Sequence, residues 1–411
     1  MKIIIISDDF PPKSSGGAAI IAYNQAFALR DSGYEVVVLT TVENRLEIGE
    51  SVENGIRIIR IYSKYNPRYR SYLSLYNPFI LSNVRENLKK EKADIIHFHN
   101  IHYHFSYRSI ALASRYSKVL FITIHDSMSF HYSKLFPDFP YEIPVKSYRI
   151  SLWRQLKDFR FRFNPFKNII IRHYLKIPRK IFSVSNALKK ALNDNGIDNV
   201  EVVHNGIDVN KWIADAQSIE DFKKTHNLLN KKIIMFCGRL SRAKGGKLII
   251  HCMPEILRSF PDVVLLIVGE KDIEASNMLA IAKRLDIDKQ VVFTGKLSRN
   301  SIINAYGACD MVIVPSLCFD WFPTVNLEAM VMRKPIVATC FGGSNELVEN
   351  GKTGYIINPY HDREIVESCV ELLLDDEKRI ASGNNGYEKI TQQFSVGHFI
   401  ENIISWYRKY I

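Results

Sequence analysis

Two carboxylates stand eight positions apart in the second half of the chain, on either side of a predicted helix start. Asp320 lies in a loop after a short apolar strand, and Glu328 lies in the helix that Pro323 introduces. The N–H groups and positive dipole end of such a helix favour a phosphate. Open α/β sheets bind ligands at this position, the carboxyl end of a strand. The alternative is an ordinary strand–loop–helix connection with two solvated acids.

An earlier glycine-rich loop carries the complementary charges. It spans residues 238–246, follows a predicted strand, opens a predicted helix, and contains Arg239 and Lys244. Arginine binds phosphate oxygens with a fork of N–H donors, and lysine acts as a point charge. Because both loops follow strands of one predicted sheet, they would face one crevice and could neutralise a diphosphate. A solvated basic loop is the alternative.

Apolar strands alternate with helices along the chain, which predicts two doubly wound α/β domains in tandem. The first strand, Lys2–Ser7, leads into a loop in which Gly16 and Gly17 let backbone N–H groups approach an anion. A plain tight turn is the alternative there. We expect a first domain over residues 1–208, a second over 209–395 and a final helix over 396–411.

Composition favours a globular cytosolic protein. The chain has 411 residues, 46% hydrophobic and 24% charged, which is enough for two or three domains. Its six cysteines form no C-x-x-C pair, so we expect reduced thiols and no zinc site. The apolar run at the N-terminus is too short for a signal peptide, and no run reaches the length of a transmembrane helix.

Most of the net charge of +12 is concentrated in one segment. Residues 131–180 contain twelve Lys and Arg against three acids, interleaved with aromatic residues. Basic and aromatic side chains together suit an anionic membrane interface. We therefore interpret residues 129–179 as an insertion that docks on the inner membrane leaflet. The alternative for this segment is a helical hairpin whose aromatic side chains lie in the core and whose charges are solvated.

Strung together, the segments resemble the retaining nucleotide-sugar glycosyltransferases of family four, which have the GT-B fold. The resemblance covers nearly the whole chain in the correct order and is weakest over residues 131–179. The matching positions are residues 11–17 (PPKSSGG), 94–99 (DIIHFH), His125-Asp126, Val184-Ser185, 205–208 (NGID), Gly238-Arg239-Leu240, Lys244-Gly245, Gly269, Asp310, Pro315-Ser316, Glu328-Ala329-Met330, Pro335, Val337-Ala338-Thr339, Gly342-Gly343 and Glu346.

The resemblance implies two Rossmann-like domains facing a cleft, with the last helix crossing back to the first domain. It places a nucleotide diphosphate mainly on the second domain, where Arg239 and Lys244 would stabilise the leaving group without a metal ion or other cofactor. Glu328 would accept hydrogen bonds from the ribose. Asp320 replaces the first glutamate of the family's E-x7-E signature, which contacts the donor sugar, and its side chain is one carbon shorter.

Further residues follow from the same resemblance. The backbone N–H groups of Thr324 and Val325 would meet the diphosphate. His125 would contact the donor sugar near the reacting carbon; a structural histidine is the alternative. Gly16 and Gly17 would let the first domain's loop close over the ligands. Asn205 is a candidate donor contact.

The acceptor side has two candidates, His99 and Ser185. His99 belongs to an H-x-H-x2-H-x-H cluster with His97, His102 and His104, which could suggest zinc because histidine is a common metal ligand. No acid or cysteine joins the cluster, and the strand end that carries it matches the family. We therefore predict an acceptor-side contact for His99 and no metal site.

The function expected from the resemblance is retaining transfer of a sugar from a UDP- or GDP-sugar to a hydroxyl of a glycan or lipid-linked acceptor. A role in cell-surface polysaccharide synthesis, in lipopolysaccharide or capsule, at the cytoplasmic face of the membrane would fit. Nucleic acid is not an expected partner. A sugar-nucleotide epimerase of the same fold and a non-catalytic anion- or nucleic-acid-binding protein are the alternatives.

Overall fold

The computed structural model describes residues 1–12 and 16–411, so the middle of the PPKSSGG segment, residues 13–15, lies outside the description. The chain divides into two compact units. The first contains Met1–Lys134, Val145–Gly206 and Val396–Ile411, and the second contains Leu135–Pro144 and Ile207–Ser395. Each unit is built on a largely parallel sheet flanked by helices, which confirms the predicted fold class.

The sheet of the first unit, over the part of the chain described, has the order β3-β4-β2-β1-β5-β6-β7-β8. All neighbouring strands are parallel except β3 and β4. The strands are β1 (Lys2–Ser7), β2 (Glu35–Val42), β3 (Gly49–Glu53), β4 (Ile56–Tyr62), β5 (Ile95–Phe98), β6 (Val119–Ile124), β7 (Lys180–Ser183) and β8 (Val200–Val202). The central strands β1, β5 and β6 are buried almost throughout and are mostly apolar, as is typical of parallel strands covered on both faces.

The helices of the first unit include one from the end of the chain. They are α1 (Gly17–Asp31), α2 (Arg70–Leu73), α3 (Pro78–Glu91), α4 (Arg108–Ala113), α5 (Leu152–Phe159), α6 (Lys167–Tyr174), α7 (Asn186–Asp194) and α16 (Val396–Arg408). The last helix buries Tyr407, whose hydroxyl oxygen accepts a hydrogen bond from Gln25 Nε2 at 3.1 Å. A polar contact inside this core therefore fixes α16 against α1.

The second unit has a fully parallel sheet with the order β11-β10-β9-β12-β13-β14 among the described residues. Its strands are β9 (Lys232–Cys237), β10 (Val263–Val268), β11 (Val291–Gly295), β12 (Met311–Val314), β13 (Ile336–Thr339) and β14 (Gly354–Ile357). Its helices are α8 (Ala216–Thr225), α9 (Gly246–Ser259), α10 (Ile273–Arg284), α11 (Arg299–Ala308), α12 (Thr324–Val331), α13 (Ser344–Leu347), α14 (Asp362–Leu374) and α15 (Asp376–Gln393).

One part of the predicted insertion groups with the second unit instead of the first. Residues 135–144 are held there by backbone contacts: Phe319 N donates to Leu135 O at 2.8 Å, and Asn358 Nδ2 donates to Pro140 O at 2.8 Å. The rings of Tyr141 and His361 stack with their centroids 5.2 Å apart. The prediction that residues 129–179 form one continuous insertion in the first domain was therefore wrong for these ten residues.

Candidate functional site

The basic loop of the second unit is held against the end of a neighbouring strand. β9 and β12 are adjacent, so the residues that follow them lie at one edge of the sheet. Gly245 has a φ of +78°, and a Cβ on it would lie 2.0 Å from Pro315 O. Leu317 N donates to Ala243 O at 2.9 Å. Glycine at position 245 is therefore what lets the two loops approach this closely.

This approach places Lys244 beside Asp320. The Lys244 ammonium forms an ion pair and hydrogen bond with Asp320 Oδ2, and both side chains are largely buried, with 20% and 12% of their surfaces exposed. Ser316 Oγ donates to the same carboxylate oxygen at 3.2 Å. Two residues expected to touch the diphosphate and the sugar are therefore partners of each other in this structure. Arg239 lies exposed on the same loop.

The backbone of Asp320 is fixed by Gly342 and its neighbours. Asp320 N donates to Phe341 O at 3.1 Å, and Gly343 N donates to Asp320 O at 2.8 Å. Gly342 has a φ of +103°, and a Cβ there would lie 2.0 Å from Asp320 O. The paired glycines after β13 thus serve to position the carboxylate.

Helix α12 supplies the second acid. Pro323 takes the N-cap position with extended backbone, one residue earlier than the first helical position predicted for it. Thr324 and Val325 are therefore the first residues of the helix, and their N–H groups have no intrahelical partner. Glu328 Oε2 accepts a hydrogen bond from Tyr306 OH at 2.7 Å. Burial raises the pKa of Glu328, and the bond from Tyr306 opposes this shift.

Tyr306 and Ser316 also belong to this site, although the sequence did not predict them there. Tyr306 is fully buried on α11 and had no motif to mark it, although a tyrosine on an otherwise small and aliphatic helix face was a usable signal. Ser316 belongs to the quoted Pro315-Ser316 match, which gave it no role. The structure shows that both hydroxyls orient the two carboxylates.

In the first unit, the strand ends bring His125 and His99 together. His125 follows β6, His99 follows β5, and His99 Nδ1 lies 2.9 Å from His125 Nε2, so one ring donates a hydrogen bond to the other. Burial lowers the pKa of His125 to about 4 and that of His99 well below its usual value. Both rings are therefore neutral at pH 7. The buried His99 Nε2 has no hydrogen-bond partner among the residues described.

The neighbouring histidines have structural partners. His97 Nε2 lies 2.8 Å from Thr123 Oγ1, and His97 Nδ1 lies 2.9 Å from Gln25 Nε2 and 2.6 Å from Tyr407 OH. Burial lowers the pKa of His97 to about 3. Within residues 1–12 and 16–411, no group of three or more His, Cys, Asp and Glu is arranged to hold a metal ion.

Asp8 shapes the loop after His99 and was not singled out from the sequence. Its carboxylate accepts three backbone hydrogen bonds, from Tyr103 N at 2.7 Å, His104 N at 2.9 Å and Phe105 N at 2.8 Å. Burial raises the pKa of Asp8 to about 6. An acid directly after a fully buried strand was the available signal.

The remaining predicted residues lie at other strand ends of the first unit. Gly16 is the N-cap of α1, which begins at Gly17, and both are exposed. Ser185 Oγ accepts from Leu188 N at 3.1 Å, so this hydroxyl caps α7. Asn205 is buried, and its Oδ1 has no hydrogen-bond partner in the described structure, which leaves this oxygen available to a ligand donor.

Two models of protein families match consecutive parts of the chain. The model described as Glycosyltransferase Family 4 matches residues 15–211, and that described as Glycosyl transferases group 1 matches residues 217–389. An uncharacterized glycosyltransferase of Methanocaldococcus jannaschii is 25% identical over 99% of this chain and 98% of its own length. A D-inositol 3-phosphate glycosyltransferase of Corynebacterium jeikeium is 30% identical over 45% of this chain and 46% of its own length.

Solved structures share the architecture at low sequence identity. Sucrose-phosphate synthase from Thermosynechococcus elongatus superposes with a TM-score of 0.79 at 18% identity, covering 99% of this chain and 98% of that one. Anabaena HepE in complex with UDP gives 0.74 at 20% identity over the full length of both chains. Together with the two matched domain models, these likenesses show that the chain belongs to the family-four type of glycosyltransferases with the GT-B fold.

Proposed function

We propose that this enzyme is a retaining, metal-independent hexosyltransferase that moves a sugar from a nucleotide diphosphate to a hydroxyl of a glycan or lipid-linked acceptor. The observation that carries the proposal is the arrangement at one sheet edge of the second unit. There Lys244 and Asp320 form an ion pair between two loops, which are brought close together at Gly245 and Pro315. Helix α12 begins shortly after Asp320.

We assign binding of the donor diphosphate to cationic side chains of the protein. Arg239 and Lys244 would contact its oxygens, and the N–H groups of Thr324 and Val325 would complete the contact. These groups stabilise the charge that develops as the bond between sugar and phosphate breaks. Glu328, held by Tyr306, would accept hydrogen bonds from the ribose.

Asp320 would exchange partners when the donor binds. In this structure its carboxylate neutralises Lys244, so the lysine is positioned before the diphosphate arrives. When the Lys244 ammonium moves to the phosphate, the Asp320 carboxylate would accept hydrogen bonds from sugar hydroxyls in its place. The bond from Ser316 would keep the carboxylate in place during this exchange.

His125 and Asn205 would contact the donor sugar. Because desolvation keeps His125 neutral, its ring can hydrogen-bond a sugar hydroxyl without adding a positive charge. Retention would follow from departure and attack on one face: the acceptor oxygen bonds to the anomeric carbon, the bond to the leaving phosphate breaks, and the acceptor proton passes to a phosphate oxygen. We assign His99 and Ser185 to the acceptor side. Ser185 would act indirectly, because its hydroxyl fixes the start of α7.

A uridine donor is favoured by the structural neighbours, since Anabaena HepE was solved with UDP and with UDP-glucose. The test is to measure thermal stabilisation by UDP, GDP and their sugars, followed by NMR of the anomeric configuration of the product. We expect selective stabilisation by one base and retained configuration. An inverted product would refute retention, and an epimerised nucleotide sugar formed without acceptor would identify an epimerase.

We also propose that the first unit docks on an anionic membrane through α5 and the turns after it. Trp153 and Phe161 are 75% and 103% exposed, and Phe166 is 65% exposed. Arg160 and Arg162 lie between these rings in sequence. Exposed aromatic rings beside guanidinium groups suit the headgroup region of a bilayer. Among the residues described, no helix is both long and apolar enough to cross a membrane.

Vesicle sedimentation tests this docking surface. Wild-type protein should pellet with vesicles that contain phosphatidylglycerol at low salt and should release at high salt, because screening weakens the contact. Trp153→Ser with Phe161→Ser should abolish pelleting, whereas Tyr72→Ser, at another exposed aromatic residue of the same unit, should not. Wild-type protein that stays in the supernatant at low salt would refute the membrane interface.

A further inference from the structure

Lys167 is a buried lysine that the proposed mechanism does not use. It is the first residue of α6, its surface is only 2% exposed, and its Nζ has no hydrogen-bond or ion-pair partner in the described residues. Its Nζ lies 3.4 Å from the ring centroid of Tyr132. Burial lowers the pKa of Lys167 well below its usual value. An amine that makes no hydrogen bond is costly to bury, and a group that accepts hydrogen bonds from it would offset that cost.

Arg70 presents a second unsatisfied donor to the same surroundings. Its guanidinium carbon lies 3.6 Å from the ring centroid of Tyr103 and 5.7 Å from that of Tyr132. Nε donates to His102 O at 3.4 Å, whereas Nη2 is buried and has no partner among the described residues. The rings of two tyrosines thus hold Arg70 near Lys167 and leave donors of both cations unused.

The nearby carboxylate does not neutralise these cations by contact. Asp126 Oδ1 accepts from Met128 N at 2.9 Å, Oδ2 accepts from Asn100 Nδ2 at 3.4 Å, and Oδ2 lies 3.6 Å from His102 Nε2. Asp126 raises the pKa of Lys167, but less than burial lowers it. The site therefore keeps hydrogen-bond donors that no described group accepts.

We propose that Arg70 and Lys167 form an anion subsite that binds a phosphate group of the acceptor. This inference rests on the proposed glycosyltransferase function and names the chemical class of its acceptor. A phosphate carries up to two negative charges and accepting oxygens for both a guanidinium fork and an ammonium. The subsite would lie near the proposed acceptor side, because His102 and Asp126 follow the same strands as His99 and His125.

The structural alternative makes a different prediction for Lys167→Met. If the lysine only packs on Tyr132, the apolar side chain of methionine should leave every ligand response unchanged. If the lysine is kept for an anion, methionine should raise the melting temperature, because it removes an unsatisfied buried amine, and should abolish phosphate binding. Arg115→Gln, at an exposed arginine of the same unit outside the docking surface, is the matched control.

The experiment measures melting temperature against inorganic phosphate, with the nucleotide site first saturated by UDP. Wild type and Arg115→Gln should gain several degrees with added phosphate, whereas Lys167→Met and Arg70→Gln should lose at least nine-tenths of this gain. The prior response to UDP should be the same in all four proteins, so failure of the donor assignment would appear separately. No phosphate response in the wild type, or a full response in Lys167→Met, would overturn the subsite.

Two acceptor sources share this chemistry, a soluble sugar phosphate and a lipid-linked phosphate. Sugar transfer should be compared with a panel of hexose phosphates and with vesicles that contain polyprenyl-phosphate-linked sugars. Lys167→Met should raise KM at least tenfold for whichever source is used, with a smaller change in kcat. Transfer only to uncharged glycans, unaffected by Lys167→Met, would contradict the proposal.

Discussion

The ammonium of Lys244 is paired with the carboxylate of Asp320, the first acid of the D-x7-E spacing. The pair joins the loop after β9 to the loop after β12, and Ser316 shares the same carboxylate oxygen. If Lys244 binds the donor diphosphate as proposed, its movement would let the Asp320 carboxylate accept a hydrogen bond from the sugar. Donor binding and positioning of the sugar would then be linked through one ion pair.

Lys244→Met should weaken UDP binding roughly ten- to a hundredfold, the usual cost of one charge-assisted hydrogen bond. Asp320→Asn should leave UDP affinity within about threefold, since it removes a competitor for Lys244, but should reduce turnover at least about a hundredfold. Calorimetry and initial rates separate the two effects. Equal losses of UDP affinity in both variants would show that Asp320 acts only by holding Lys244.

Gly342→Ala should distort the site at Asp320. The added Cβ would lie 2.0 Å from Asp320 O and would stand at a φ of +103°. Gly351→Ala is the matched control, because Gly351 has a φ of +77° and a Cβ added there would have no neighbour within 4 Å among the described residues. We expect a loss of roughly 1–2 kcal/mol in unfolding free energy for Gly351→Ala and roughly 3 kcal/mol or more for Gly342→Ala, measured by denaturant titration. Similar losses would show that the contact can relax.

Tyr306→Phe should shift the pH dependence of UDP affinity. Tyr306 stabilises ionised Glu328 by its hydrogen bond, so its removal raises the pKa of Glu328 further. A protonated Glu328 accepts ribose hydrogen bonds less well, and affinity should therefore begin to fall at a higher pH in the variant than in the wild type. Calorimetric titrations between pH 5 and 8 measure this shift, and coincident profiles would exclude the role of Tyr306.

Acidification should destabilise the first unit through its buried histidines. The folded pKa of His97 is about 3 and that of His125 about 4, whereas an unfolded histidine has a pKa of about 6.5. The unfolded chain therefore binds protons first, and the unfolding free energy falls as the pH drops below about 6.5. His97→Asn should flatten this dependence of melting temperature on pH. The exposed His251→Asn should not alter it; a wild-type melting temperature constant from pH 7 to 5 would contradict the argument.

The fold could be predicted because fully buried parallel strands are apolar from end to end. β1 was located with its observed bounds, Lys2–Ser7, on that signal alone. β3 and β14 give a weaker signal, because the sequence of β3, GESVE, is polar and partly exposed and β14 is short and begins at glycine. Residues 135–144 carry no signal that distinguishes contact with one unit from contact with the other.

For the candidate site, the sequence predicted which residues follow the ends of strands but not which groups they contact. Lys244, Asp320 and Glu328 follow strands and could be assigned to one sheet edge, but their partners depend on backbone approach at Gly245 and Gly342. The sequence also did not reveal that the hydroxyl of Ser185, an acceptor-side candidate, caps α7. Lys167 was counted only as part of a basic segment because burial of a single lysine leaves no trace in sequence charge.

We expect the second unit to bind a nucleotide diphosphate through Arg239 and Glu328. The most direct test of this binding is calorimetric titration of UDP and GDP into wild type, Arg239→Gln, Glu328→Gln and the control Arg363→Gln, a surface arginine paired with Glu367. We predict binding of one nucleotide per chain, with affinity at least about tenfold weaker in the first two variants and unchanged in the control. Absence of binding by either nucleotide, or equal affinity in all four proteins, would contradict the account.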